Sequence, residues 1–355
     1  MSYFVAASSP FKGDKRGSGA TVPRGSETLI FNNDIMLLDT LFILLGFLLL
    51  VKGGDYLVLG AVNIARTLRL SPMVIGLTVV GFGTSMPELL VSSQAALAGS
   101  PGIAIGNVVG SNIANIGLIL GVCALIYPLN VSKSSLKIHL PYMILSVALL
   151  MIVGMTGSIR RIEGILFLCI LTAYVVWQVR DSRHHPDPNA AEQLKEYPDW
   201  RFGKASLVTL LSFAALVAGA NMLIKGATGW AMNIGEWVGA DPRDMERIIG
   251  LTVVAVGTSL PELFASVMAA RRHQADIALG NIVGSVSFNV LCVIGVSATI
   301  CPIQHSDAGF LISYAVMVAI SLLLYAACYT HRSITRPEGA LLFACYLAYL
   351  VSLGV

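Results

Sequence analysis

The sequence predicts an all-α membrane protein in which ten transmembrane helices form two inverted five-helix repeats. Three observations predict it. Charged residues make up only 12% of the 355 and hydrophobic ones 55%, where soluble domains carry about 25% charged residues. Ten stretches approach the roughly 20 apolar residues that a spanning helix needs. A long block also recurs: GLTVVGFGTSMPELLVSSQA (Gly76 to Ala95) returns as GLTVVAVGTSLPELFASVMA (Gly250 to Ala269), an offset of 174.

In chain order the expected spans are 37–62, 72–98, 103–127, 136–156, 161–180, 205–232, 246–270, 276–300, 308–330 and 338–354. Residues 1–35 are polar and rich in Gly and Ser, without the apolar core of a signal peptide. They read as a disordered tail, and VPRGS (Val22 to Ser26) matches part of a common protease-cleavage linker. The polar stretch 181–204 reads as a linker dividing the first five-helix repeat, 36–180, from the second, 205–355. Five is odd, so the second repeat must enter the bilayer from the opposite side, an architecture of secondary transporters with a midplane site at the repeat interface.

Orientation follows the positive-inside rule. The linker's face carries thirteen lysines and arginines, among them Arg66, Arg69, Lys133, Arg271 and Arg272; the other has Arg160, Arg161, Arg243 and Arg247. The linker is therefore expected in the cytoplasm and both termini outside a cell (inner) membrane. The net charge of +3, scattered between apolar runs, argues against nucleic acid as a partner. The expected partners are the lipid bilayer and inorganic cations; the sequence leaves the oligomeric state open. Six isolated cysteines, with no CxxC pair, read as buried free thiols.

Glu88 and Glu262 occupy equivalent positions inside GTSMPEL and GTSLPEL. An acid at the bilayer centre costs about 2.5 to 3.5 kcal/mol, and a bound cation compensates it. Pro87 and Pro261 free carbonyl oxygens upstream of each glutamate. Thr84, Ser85, Thr258 and Ser259 add hydroxyls beside them. The same offset maps GNVVGSNIAN onto GNIVGSVSFN, bringing Ser111 with Asn115 and Ser285 with Asn289, each pair spaced i, i+4 on one helix face. Oxygen donors alone favour calcium and sodium over zinc or copper. The glycines at 106, 110, 280 and 284 form GxxxG spacings explained by close packing. Asp55, aligned with Asn221, reads as a structural hydrogen-bonder, and Lys52 and Lys225 as snorkelling residues. The six histidines fall in loops or near span ends, so no buried histidine relay is expected.

At GTSxPE followed by GNxxGS, in both halves, the chain resembles the calcium:cation antiporter superfamily, most of all its short prokaryotic sodium/calcium exchangers. The resemblance implies a ten-span inverted-repeat fold that exchanges calcium for sodium by alternating access. By position it implies that Glu88 and Glu262 ligate both ions. Thr84, Ser85, Ser111, Thr258, Ser259 and Ser285 would complete the sodium sites with backbone oxygens of Gly81 and Ala255. Asn115 fits the pattern; Asn289 departs from it, since the second repeat there usually ends in aspartate, and Val286 and Ser287 replace the first repeat's Asn112 and Ile113. Two glutamate charges balance one calcium or two sodium ions, and a third sodium would leave an uncompensated charge. Apart from the transported calcium, sodium or protons, no cofactor is expected. The alternative reading is a proton-coupled exchanger of calcium or another divalent cation. A cation channel is weaker, and a membrane enzyme with paired acid and base carboxylates weakest, because no nucleophile or substrate pocket accompanies them.

Overall fold

Long apolar runs broken by Pro, Gly and basic residues become long helices with short turns. The computed structural model describes residues 33–99, 101–184, 197–237, 257–304 and 308–352. Helix α1 runs Asn33–Leu68, so residues 33–35, expected in the tail, already belong to a helix. It ends where Arg69 turns left-handed (φ 56) and the Leu70 amide reaches back to the Ala65 carbonyl at 2.9 Å, a Schellman-type stop. Ser71 then caps α2, Pro72–Thr84, with Pro72 in its first turn. Helix α3, Met86–Leu97, follows after a 45° bend at Ser85. Next come α4 (Gly102–Ile126), α5 (Ser135–Gly154) and α6 (Arg161–His184). The second half has α7 (Phe202–Trp237), α8 (Leu260–Arg271), α9 (Ala275–Ile300), α10 (Ala308–His331) and α11 (Arg336–Ser352).

Seven of these helices are long and apolar enough to cross a membrane, and the bent α2–α3 pair makes eight. Helix α8 covers 260–270 of the expected span 246–270, whose first residues, to 256, lie outside the described ones. Helix α11 covers the expected 338–354 with 17 residues. The fold is mostly helical, with one addition: among the described residues, four two-residue strands form two antiparallel ribbons. β1 (Leu129–Asn130) pairs with β4 (Ser333–Ile334), and β2 (Ser158–Ile159) with β3 (Ile303–Gln304). Each ribbon buries apolar side chains on one side, Leu129 with Ile334 and Ile159 with Ile303.

Burial sorts the helices. In its most apolar stretch α9 has 94% of its residues buried and α4 72%, against 22% for α1 and 28% for α6 and α7. The two helices carrying GNxxGS are thus the centre, and α1, α6 and α7 face lipid with residues such as Leu44, Phe47, Leu166 and Leu210. Helices α1 and α7 touch backbone to backbone: a Cβ on Gly46 would lie 2.7 Å from the Gly219 carbonyl.

Candidate functional site: two exchanged serine–glutamate pairs

In the sequences Ser-Met-Pro-Glu and Ser-Leu-Pro-Glu, a serine precedes a helix whose third residue is glutamate, the spacing of a capping box. Pro87 and Pro261 stand in the first turns of α3 and α8, where the missing amide costs nothing. Ser85 (φ −83, ψ 6) and Ser259 (φ −89, ψ 5) break the chain in the same way, yet neither hydroxyl caps its own helix. Instead the two are exchanged between the halves. Ser85 Oγ donates to Glu262 Oε1 at 3.1 Å, and Ser259 Oγ to Glu88 Oε1 at 3.5 Å. Both glutamates are fully buried.

More oxygens gather around each pair. The Thr84 hydroxyl lies 3.4 Å from both the Gly81 carbonyl and Ser285 Oγ, and Ser285 Oγ donates to that same carbonyl at 3.4 Å. Thr84 also flanks the Glu262 carboxylate, as Thr258 and Ser111 flank that of Glu88. Ala255, the expected mirror of Gly81, lies outside the described residues. Asn115 and Asn289 each begin a π-helical turn, Asn115–Leu120 and Asn289–Ile294, at equivalent positions. Such turns widen a helix locally and concentrate at functional sites.

A buried polar atom without a partner needs an explanation. Among the described residues those atoms include Glu88 Oε2, Glu262 Oε2, Thr258 Oγ1, Asn289 Oδ1 and both polar atoms of the Asn115 amide. These six belong to residues picked from the sequence by type and spacing; Asp39, Ser93, Tyr142, Gln178 and Ser297 hold the other five. No group of three or more His, Cys, Asp or Glu that could hold a metal occurs among the described residues. The charge here is therefore that of two carboxylates, and the remaining donors are neutral oxygens, a set suited to hard cations.

Sequence reasoning passed over two positioning residues. Asn281 Nδ2 donates to the Glu262 carbonyl at 3.3 Å and to Ser266 Oγ at 2.8 Å; Asn107 Nδ2 does the same to Glu88 O at 3.4 Å and Ser92 Oγ at 3.0 Å. They clamp each glutamate's helix to the next one, and the repeated GN dipeptide was their signal. A Cβ on Gly280 would meet the Met73 carbonyl of α2 at 2.7 Å; the segment that the repeat sets opposite Gly106 and Gly110 lies outside the described residues. Asp55 is structural as expected, paired with Arg272 at 2.7 Å. Lys225 lies over the Phe42 ring, 4.9 Å from its centroid. The six cysteines are free, but only Cys123 and Cys328 are buried; Cys292, Cys301 and Cys345 are half-buried, and Cys169, on an outward face of α6, is exposed. His139 is buried despite its place near a span end; its ring nitrogens bond Tyr174 OH at 2.8 Å, Gln178 and Ser134, and neither glutamate is among these partners.

The sodium/calcium exchanger protein family matches residues 38–180 and 204–355. Among relatives, the sodium/calcium exchanger MaX1 of Methanosarcina acetivorans is 35% identical over 88% of this chain and 97% of its own length. The inner membrane protein YrbG of Escherichia coli is also 35% identical, over 90% and 97%. Among solved structures, the sodium-calcium exchanger NCX_Mj, soaked with sodium and calcium, superposes with a TM-score of 0.76 at 33% identity, covering 89% of this chain and 99% of that one. With its apolar helices and both halves matched, this chain is a multi-pass membrane protein belonging to the sodium/calcium exchanger family of ion antiporters.

Proposed function

We propose that the protein exchanges calcium for sodium by alternating access, holding the ions between Glu88 and Glu262. The observation that carries this reading is the exchanged pairing: two fully buried carboxylates, each held by a serine of the other half through one oxygen, each with its second oxygen unpartnered. Two acids this deep are unfavourable without compensation. Calcium, which takes six to eight oxygens in a tolerant geometry, matches the nearby carboxylates, Thr and Ser hydroxyls, Asn oxygens and the Gly81 carbonyl. Sodium would share the same oxygens in turn, and Thr84, Ser85, Ser111, Thr258, Ser259 and Ser285 are its ligands in this reading, with the carbonyls of Gly81 and Ala255.

Inversion of the two five-helix halves, 36–180 and 205–355, is supported by the ribbons. β1 and β3 hold equivalent places in the repeat, yet each pairs with a strand of the other half that lies across a long helix from its counterpart. Helix α5, of 20 residues and about 30 Å at 1.5 Å per residue, separates β1 from β2. In this reading the linker faces the cytoplasm and both termini face outward.

Liposomes loaded with sodium and given labelled calcium test the reading. Uptake should follow the sodium gradient and vanish in Glu88→Gln and Glu262→Gln. Uptake driven by a pH gradient and indifferent to sodium would replace sodium by protons as the coupling ion. Native-like uptake by either glutamine variant would end the proposal.

A further inference from the structure

Asn289 carries an amide, which can offer the ion either an oxygen or an NH2 group. Only the oxygen is useful to a cation. Three buried side chains decide which end is offered. Met317, fully buried on α10, has a thioether that can only accept a hydrogen bond. Asn112 Nδ2 donates to Met317 Sδ at 3.6 Å, so Asn112 Oδ1 points the other way and accepts from Asn289 Nδ2 at 3.1 Å. Asn289 Oδ1 is left buried and unpartnered, at the start of the π-turn and one helical turn beyond Ser285. Turning the Asn289 amide over would set its oxygen against the Asn112 oxygen. Turning Asn112 as well would set an oxygen against sulfur.

We infer that Asn112 is a positioning residue, fixed by Met317, which locks the Asn289 amide with its oxygen toward the ion. The inference rests on the exchanger reading above. It also explains an asymmetry. The first half keeps a fully buried methionine at the place equivalent to Met317, namely Met143 on α5, which packs against α9. The middle member of the relay is missing there, because Val286 occupies the place equivalent to Asn112. Asn115 accordingly has neither amide atom partnered, where Asn289 has one. The chain holds one amide locked and its mirror image unlocked.

The test is the concentration of calcium giving half-maximal sodium-driven uptake, measured with the full-length protein in liposomes. Asn112→Leu and the near-isosteric Met317→Leu should each raise it, about 3- to 10-fold for the leucine at 112, the size of a lost neutral hydrogen bond. Asn289→Ala should raise it further, and Asn112→Leu added to Asn289→Ala should change nothing more, since the relay would have nothing left to orient. A merely structural Asn112 would give multiplying effects instead. Val286→Asn, which supplies the missing middle member beside Met143, should lower the half-saturating calcium. Native values in both Asn112→Leu and Met317→Leu, or effects that multiply in the double variant, overturn the inference while leaving the exchanger reading intact. Failure of the native protein to move calcium under a sodium gradient removes the exchanger reading, and the inference with it.

Discussion

Gly280→Ala adds one methyl group at the contact between α9 and α2. Its carbon would lie 2.7 Å from the Met73 carbonyl oxygen and 3.1 Å from the Leu77 amide nitrogen. Ordinary non-bonded contacts start near 3.5 Å, so α2 has to retreat by roughly 0.8 Å. Both groups are backbone, and no side-chain rotation relieves the clash. Overpacking of this kind costs about 1–3 kcal/mol. Gly203, near the start of α7, is the control: a methyl there meets nothing within 4 Å among the described residues. Alanine's helix propensity returns about 0.8–1 kcal/mol at the interior position 280 and less at Gly203, second in its helix, so the overpacking exceeds the difference. Unfolding of the purified protein in detergent, followed by heating or denaturant, should therefore rank Gly280→Ala below Gly203→Ala, by up to about 2 kcal/mol. Helix α2 also carries Gly81 and Thr84, and sites tolerate displacements of only about 0.5 Å, so half-saturating calcium should rise as well. Equal stability in the two variants would refute the close approach of α9 to α2.

Other expectations follow from the exchanged pairs and their clamps. Ser85→Ala and Ser259→Ala each remove a hydrogen bond to a charged group, worth about 1.5–3 kcal/mol, so each should weaken calcium-dependent uptake tenfold or more; an effect in one alone would contradict the pairing between halves. Asn281→Leu should destabilise the protein more than Asn107→Leu in thermal unfolding, since Asn281 is fully buried and Asn107 half-buried. The expected cost is about 1–3 kcal/mol for each polar partner left unsatisfied, and the reverse order would count against the clamp.

Legibility in the sequence followed the range of the interaction. Helix positions came from apolar run length, which the bilayer dictates residue by residue, and Glu88, Glu262 and their hydroxyl neighbours stood out because a polar group in such a run has few structural uses. What the serines do was not legible. A Ser-x-Pro-Glu segment at a helix start reads locally as a self-contained cap, and only the packing of α3 against the second half sends Ser85 to Glu262. The π-turns at Asn115 and Asn289 escaped because no side-chain code sets them apart from α-helix. Asn112 looked like a plain departure from symmetry until Met317, 205 positions away, gave its amide a direction. The two-residue strands are shorter than any alternation of side chains can signal.

The ribbons give the topology its most direct test, because they supply equivalent residues that are both within reach of a reagent. Asn130 in β1 and Gln304 in β3 are 174 positions apart, the offset of the repeat, and both are exposed. If the halves were parallel copies, these residues would emerge on the same side of the membrane. With inverted halves they emerge on opposite sides, Asn130 with the linker and Gln304 away from it. The pairing requires that choice to be made twice: Asn130 faces Ser333 and Gln304 faces Ser158, and the long helices α5 and α10 hold the two ribbons apart. Asn130→Cys and Gln304→Cys, each in a background with the six native cysteines replaced, should react with a membrane-impermeant maleimide from one side only. The side should be the cytoplasm for Asn130→Cys and the exterior for Gln304→Cys. Labelling of both from the same side would break the inversion, and with it the argument that one pair of glutamates can be opened to either side by related movements of two halves.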